Sequence, residues 1–210
     1  MTPSLLSESE CAGVAALYAD DALFRKTIKM ARHSYGEGEY RYFAEPVAEP
    51  VARLRESLYA PLAGVANRWA ERLRLSEQYP ETFGEYRDVC KSRGQEYPTP
   101  LMLDYYEGGY NCLHQDVYGD LAFPLQAAGM LSRPGTDFEG GEFLLVEQRP
   151  RKQSRGEAIA LQQGESILFP NQVRPETGSR GDYRVNVRHG VSRIRRGHRR
   201  TLGIIFHDAQ

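Results

Sequence analysis

Leu101-Met102-Leu103-Asp104-Tyr105-Tyr106-Glu107-Gly108-Gly109, followed at once by Tyr110-Asn111-Cys112-Leu113-His114-Gln115-Asp116, is the stretch on which the fold turns. Its first six residues have the apolar and aromatic content of a strand, and Glu107-Gly108-Gly109 is a turn that brings the chain back alongside it. Side chains two apart on a strand leave the same face, so His114 and Asp116 are expected to converge on one ion. His189 follows Asp116 by 73 residues and Arg199 follows His189 by ten. Two imidazoles and one carboxylate on one face of an octahedral ion leave three positions open, a ligand set that suits Fe(II). Arg199 offers the fixed cation that a dicarboxylate needs, through a bidentate, charge-assisted pair.

Outward from that stretch, short apolar runs with glycine-rich boundaries recur. They are Phe123-Pro124-Leu125-Gln126, Gly140-Gly141-Glu142-Phe143-Leu144, Gly164 to Phe169, Val185 to His189, and Thr201 to Phe206. Each is read as a strand. Alternation on the last puts Arg199 on one face with Thr201 and Gly203, and sends its rival Arg200 to the other. Upstream, Ser7 with Glu10 is a capping-box pattern opening an apolar-rich segment that runs towards Phe24. Val47, Val51, Leu54, Leu58, Leu62, Val65, Trp69 and Leu73 recur at helical steps, with Pro61 expected to split the stripe into two helices. Gly36-Glu37-Gly38 before Tyr40-Arg41-Tyr42-Phe43 suggests a turn and an extra strand. Residues 1–97 are therefore expected to be a helical support layer and 98–210 a β-rich core, with the seam at Tyr97-Pro98-Thr99-Pro100.

Composition sets the class. At 210 residues, 40% hydrophobic and 26% charged, the chain can bury one sizeable core. It has no apolar run of 18 residues and no charged-then-apolar leader, so neither membrane insertion nor export is expected, and a cytoplasmic location is. Cys11, Cys90 and Cys112 are odd in number without C-x-x-C spacing, which predicts free thiols. Charge is uneven: residues 1–148 hold 14 Lys/Arg against 23 Asp/Glu, net −9, and residues 149–210 hold 13 against 5, net +8. The clusters Arg149-Pro150-Arg151-Lys152 and Arg193 to Arg200 are candidates for a nucleic-acid groove, unless interleaved strands neutralise them.

The core resembles the Fe(II)/2-oxoglutarate-dependent dioxygenases of the prolyl-4-hydroxylase-like branch over residues 98–209. The resemblance rests on Tyr106 with its glycine turn, His114-x-Asp116, Gly140-Gly141 opening a strand, Ser166 to Phe169, His189, and Arg199 before a closing hydrophobic strand. Along its whole length the chain also resembles a bacterial family of such oxygenases described as acting oxidatively on damaged DNA. The strings behind that likeness are Asn111 to Asp116, Gln148-Arg149-Pro150-Arg151, Arg188-His189-Gly190-Val191-Ser192 and Leu202 to Ala209.

These resemblances imply an α+β fold: a double-stranded β-helix (a cupin-like jelly roll) buttressed by N-terminal helices. They imply Fe(II) held by His114, Asp116 and His189, 2-oxoglutarate anchored by Arg199, and O2 as oxidant. The products implied are succinate, CO2 and a hydroxylated C–H bond; an N-methyl carbon so hydroxylated leaves as formaldehyde. Tyr106 matches the position from which the resembled hydroxylases contact the co-substrate, and Gln126 is placed to add a polar group. For Tyr106 an ordinary buried hydrogen-bonding role is an equal alternative, and for Gln126 it is the stronger one. His33, His198 and His207 are assigned to structure or surface. Alkylation-repair demethylases carry a second arginine six residues after the first; that position is Ile205 here, which shifts weight from an alkylated nucleic-acid base towards a peptide or protein substrate. A non-catalytic cupin-like metal or small-molecule binder is the remaining alternative, disfavoured because it has no need of Arg199.

Overall fold

The computed structural model describes residues 4–210. Helix α1 (Glu8–Ala16) opens on the capping box: the Glu10 N–H donates to Ser7 Oγ and the Ser7 N–H donates to the Glu10 carboxylate. It stops well before Phe24, because two 3-10 turns follow and Asp20 caps the second by accepting from the Ala22 N–H. Three strands then lie within residues 24–43, β1 (Phe24–Lys29), β2 (Gly36–Glu37) and β3 (Glu39–Phe43), with a 3-10 turn between the first two, so the stretch before residue 97 is not helical throughout. An edge strand such as β1 keeps Lys26 and Lys29 in solvent, so it lacks the apolar alternation that marks a strand in sequence.

The apolar stripe forms one uninterrupted helix, α2 (Glu49–Leu73), and Pro61 does not divide it. Pro61 and Ser57 lie on the exposed face, so the Ser57 carbonyl that loses its helical donor there is left open to water. The buried face is turned slightly from the stripe and centres on Arg55, Tyr59, Leu62 and Ala66. Arg55 can be buried because its guanidinium pairs with Asp208 at 2.6 Å and donates to the Ile205 and Phe206 carbonyls at 2.9 Å each. This ion pair ties α2 to the end of the closing strand. A second capping box, Thr82 with Glu85, starts α3 (Phe83–Ser92).

The core strands are β4 (Leu101–Tyr106), β5 (Tyr110–His114), β6 (Leu125–Met130), β7 (Phe138–Gly140), β8 (Phe143–Gln148), β9 (Arg155–Ile159), β10 (Ser166–Pro170), β11 (Val173–Gly178), β12 (Gly181–Val191) and β13 (Ile194–Ile205). All pair antiparallel in two sheets. The larger has the order β1-β3-β4-β13-β6-β10 with β7 on β13; the smaller has the order β2-β5-β12-β8-β9 with β11 on β12. This is the expected jelly roll.

Alternation along β13 divides its two faces. Leu202 and Ile204 pack outward with α-helical residues such as Val51 and Tyr59, whereas Arg199, Thr201 and Gly203 face the space between the sheets. That space is filled at one end by Phe138, Phe143, Ile167, Phe169 and Ile194, and open at the other. Cys11 and Cys90 are buried free thiols, and Cys112 is exposed. Among the described residues, no helix is long and apolar enough to cross a membrane.

Candidate metal centre and its pocket

Two strands of the smaller sheet bring the histidines together. In the β5–β12 ladder His114 stands directly opposite His189, with ring centroids 4.2 Å apart. Asp116 joins them from two residues beyond, past the end of β5 rather than on it. Its Oδ2 lies 3.2 Å from His189 Nε2 and its Oδ1 3.5 Å from His114 Nε2. One donor atom from each of the three residues falls within 4.8 Å of the others.

Protonation suits a cation. His114 Nδ1 lies 2.8 Å from the Cys112 carbonyl, which can only accept, so Nδ1 carries the proton and Nε2 keeps its lone pair for the site. Burial, reinforced by neighbouring His189, pushes His114 below its ordinary value and favours neutral imidazole. Burial alone would raise the Asp116 carboxyl. The hydrogen bond and charge of His189, with His114 and Tyr118, outweigh it and hold Asp116 well below the usual carboxylate range. His189 is wedged between Phe143 and Phe169, which keep water from it. A carboxylate beside the free lone pair of His114 Nε2, with His189 Nε2 facing the same carboxylate, is a donor set that fits a divalent ion such as Fe(II).

Across the cavity stands Arg199, opposite Tyr105 in the β13–β4 ladder. It is 2% exposed, and its guanidinium lies 5.5 Å from the Tyr105 ring and 5.9 Å from the Phe138 ring. Its Nε has no hydrogen-bond partner, its Nη1 makes one long 3.5 Å contact to Thr201 Oγ1, and among the described residues no carboxylate comes within ion-pair distance. Burial pulls it down to about 10, against the upward pull of Tyr105 and Glu142. A buried cation without a counter-charge is costly, which marks the position of an anionic ligand. Gly141 makes room for it: at φ +64°, a Cβ there would come within 2.7 Å of Arg199 Cδ. Arg200 faces away, bound to Asp104 at 2.7 Å and to the Ala15 carbonyl at 3.0 Å.

Between the triad and Arg199 lies a cavity of about 390 Å³ with walls from Leu103, Ala127, Phe143, Phe169 and Val191. Gln126 lines it, buried, with its side-chain amide donating to Asn171 at 3.2 Å. Tyr106 does not. It is 64% exposed and stacks on His198 at 4.4 Å outside the cavity. The expectation for Tyr106 was out of register by one residue: Leu101, Leu103 and Tyr105 oppose Gly203, Thr201 and Arg199, so the inward tyrosine of β4 is Tyr105. Pairing β4 with β13 by alternation would have found it. Tyr40 and Tyr118 line the cavity without a sequence signal, and Tyr105 flanks Arg199.

The other histidines are elsewhere. His33 stacks on Tyr35 at the rim, and His198 pairs with Asp104 at 2.6 Å. His207 is buried, and its Nδ1 accepts from the Phe123 N–H at 3.1 Å, so it is neutral. Burial, helped by the Arg55 charge, pushes it down to about 4 from an ordinary 6.5. Between those two values the unfolded chain holds the extra proton, so stability is complete above 6.5 and is lost as pH falls through the window. The expected loss from this group between pH 7 and 5 is about 2 kcal/mol. Urea unfolding at the two pH values measures it, and an NMR titration should show His207 unprotonated until near pH 4.

Four of the eight Lys/Arg in the expected cationic clusters have a carboxylate partner, Arg200 with Asp104 among them. Arg149 pairs with Glu176 at 3.4 Å, Arg195 with Glu142 at 3.7 Å and Arg196 with Glu139 at 2.8 Å, while Arg193 donates to the Gly108 carbonyl at 2.8 Å.

The Oxygenase-NA family, described as "Oxygenase, catalysing oxidative methylation of damaged DNA", matches residues 38–209, the span that holds the triad, Arg199 and every strand from β3 onward. The chain belongs to this family. Two Mycobacterium tuberculosis proteins, from strains CDC 1551 / Oshkosh and ATCC 25618 / H37Rv, are each 46% identical to this Oxygenase-NA chain over 167 residues, covering 80% of it and 72% of their own length. Among solved structures, a Pseudomonas putida prolyl-4-hydroxylase covers 100% of the chain and 91% of its own at 14% identity and TM-score 0.52. A Paramecium bursaria Chlorella virus-1 collagen prolyl hydroxylase, solved as a 2OG complex, covers 97% and 92% at 15% identity and TM-score 0.53. At such identities the likeness is one of fold. The Oxygenase-NA chain thus has the fold of 2-oxoglutarate/Fe(II) oxygenases.

Proposed function

We propose that this protein is an Fe(II)- and 2-oxoglutarate-dependent dioxygenase that hydroxylates a C–H bond of its substrate with release of succinate and CO2. The observation that supports it most is Arg199, a buried cation without a carboxylate partner facing the same cavity as His114, Asp116 and His189. A metal-binding module without chemistry has no use for that cation. Fe(II), when bound with 2-oxoglutarate, supplies the activation of O2. The chain's own residues do the rest. His114, Asp116 and His189 hold the metal by one face, and Arg199 fixes the distal carboxylate of the co-substrate. Thr201 steadies Arg199, and Gln126 adds a donor and an acceptor to the wall. Phe143, Phe169 and Val191 exclude water, which strengthens every charge interaction inside.

For the substrate, the family description favours an alkylated nucleic-acid base, demethylated oxidatively. A peptide residue is the second reading, favoured by the local pairing of the basic clusters and by Ile205, which packs with Tyr42 and Leu101 where a second cavity cation would stand. Iron-loaded protein is to be incubated with methylated oligonucleotides and, separately, with peptides. The first reading predicts formaldehyde and demethylated base from the oligonucleotides. An oxygen atom added to peptide side chains, with the oligonucleotides unchanged, would replace it by the second. No product from either, with no succinate, would contradict the proposed activity.

A further inference from the structure

We propose that Tyr118, backed by Tyr42, is a positioning residue that sets which oxygen of Asp116 faces the metal; this rests on the metal-centre reading above. The ladder that fixes His114 against His189 ends at His114, so no strand pairing holds Asp116. Side chains hold it instead. The amide of Gln115 donates to the Gln172 and Val187 carbonyls at 3.0 and 2.8 Å, pinning the backbone before it. The Tyr118 hydroxyl donates to Asp116 Oδ1 at 2.8 Å and accepts from the Tyr42 hydroxyl at 3.1 Å. A phenol has one proton. Because Tyr42 fills an acceptor lone pair of Tyr118, the Tyr118 proton is committed to Asp116. The rings of Tyr42 and Tyr118 meet edge to face at 6.3 Å, which fixes the approach.

The consequence is chemical. With Oδ1 engaged by the phenol, Oδ2, 3.2 Å from His189 Nε2, is the oxygen left to bind the metal. A carboxylate restricted to one metal bond keeps three positions free for co-substrate and O2. Released from Tyr118, the carboxylate is free to turn and present either oxygen, so its bond to the metal is no longer fixed. Tyr42 belongs to β3, so the strands before residue 97 shape the metal site as well as the fold.

Mn(II) is the probe, titrated by electron paramagnetic resonance into the full chain without 2-oxoglutarate. Loss of an outer partner of a metal ligand costs roughly 10–100-fold, so Tyr118→Phe, which keeps the ring, should raise the Mn(II) Kd about 10-fold or more. The spectrum of bound Mn(II) should change too, because the carboxylate now binds differently. Tyr42→Phe acts one bond further out and should shift Kd by about two-fold, since each link of a hydrogen-bond chain strengthens the next only modestly. A Tyr118→Phe Kd within two-fold of wild type overturns the inference, and so does a larger rise with an unchanged bound spectrum, which would assign Tyr118 to packing. Failure of the wild type itself to bind Mn(II) would overturn this inference and the metal-centre reading together.

Discussion

Replacing His114, Asp116 or His189 with Ala is expected to abolish turnover and to weaken Fe(II) binding by more than the roughly 10–100-fold that loss of an outer partner costs. Each donates one atom to a cluster no wider than 4.8 Å, so losing any one removes a third of the ligand set. Asp116→Glu should fail as well, because an added methylene displaces the carboxylate from its place between the two histidines and the Tyr118 hydroxyl. Metal content after gel filtration and succinate release are the readouts. Wild-type affinity and activity in any one Ala variant would remove that residue from the site.

Arg199→Ala should leave the metal in place and cripple the co-substrate. Truncating one partner of a buried, hydrogen-bonded charge pair costs on the order of 2–5 kcal/mol, so the apparent 2-oxoglutarate constant should rise roughly 30-fold or more. Arg200→Ala should change it little, since Arg200 points to Asp104 and Ala15 outside the cavity. Arg199→Lys should also be impaired, because an ammonium keeps the charge but loses the planar fork. A 2-oxoglutarate titration on the three variants, with iron content checked in each, decides it. A large loss in Arg200→Ala with a small one in Arg199→Ala would move the anion site to the other face of β13.

The parts of the site legible in sequence are those governed by strand alternation. Arg199 with Thr201 and Gly203 is an inward set on a strand of clear pattern, and the structure places all three at the cavity. The same rule brought Asp116 towards His114 for a reason that holds only in part, since Asp116 lies past the strand end and is drawn in by Tyr118. Tyr106 was misplaced because two adjacent tyrosines leave the register open until β4 is paired with β13. Long-range contacts were not legible: Tyr42 and Tyr118 are 76 residues apart, and Arg55 finds Asp208 153 residues on, with no local pattern to announce either pair. Pro61 misled because its cost depends on whether the freed carbonyl faces water, which only the packed helix decides.

Dioxygenase activity is tested most directly by release of CO2 from C1-labelled 2-oxoglutarate by the purified, iron-loaded chain in air, without added substrate and then with methylated oligonucleotides and with peptides. Slow release is expected without substrate, because 2-oxoglutarate can be consumed without coupling to a prime substrate. Faster release is expected with one substrate class, and none after chelation of the metal or in His189→Ala. Folded protein that retains iron and releases no CO2 above a metal-free control under any of these conditions would contradict that activity.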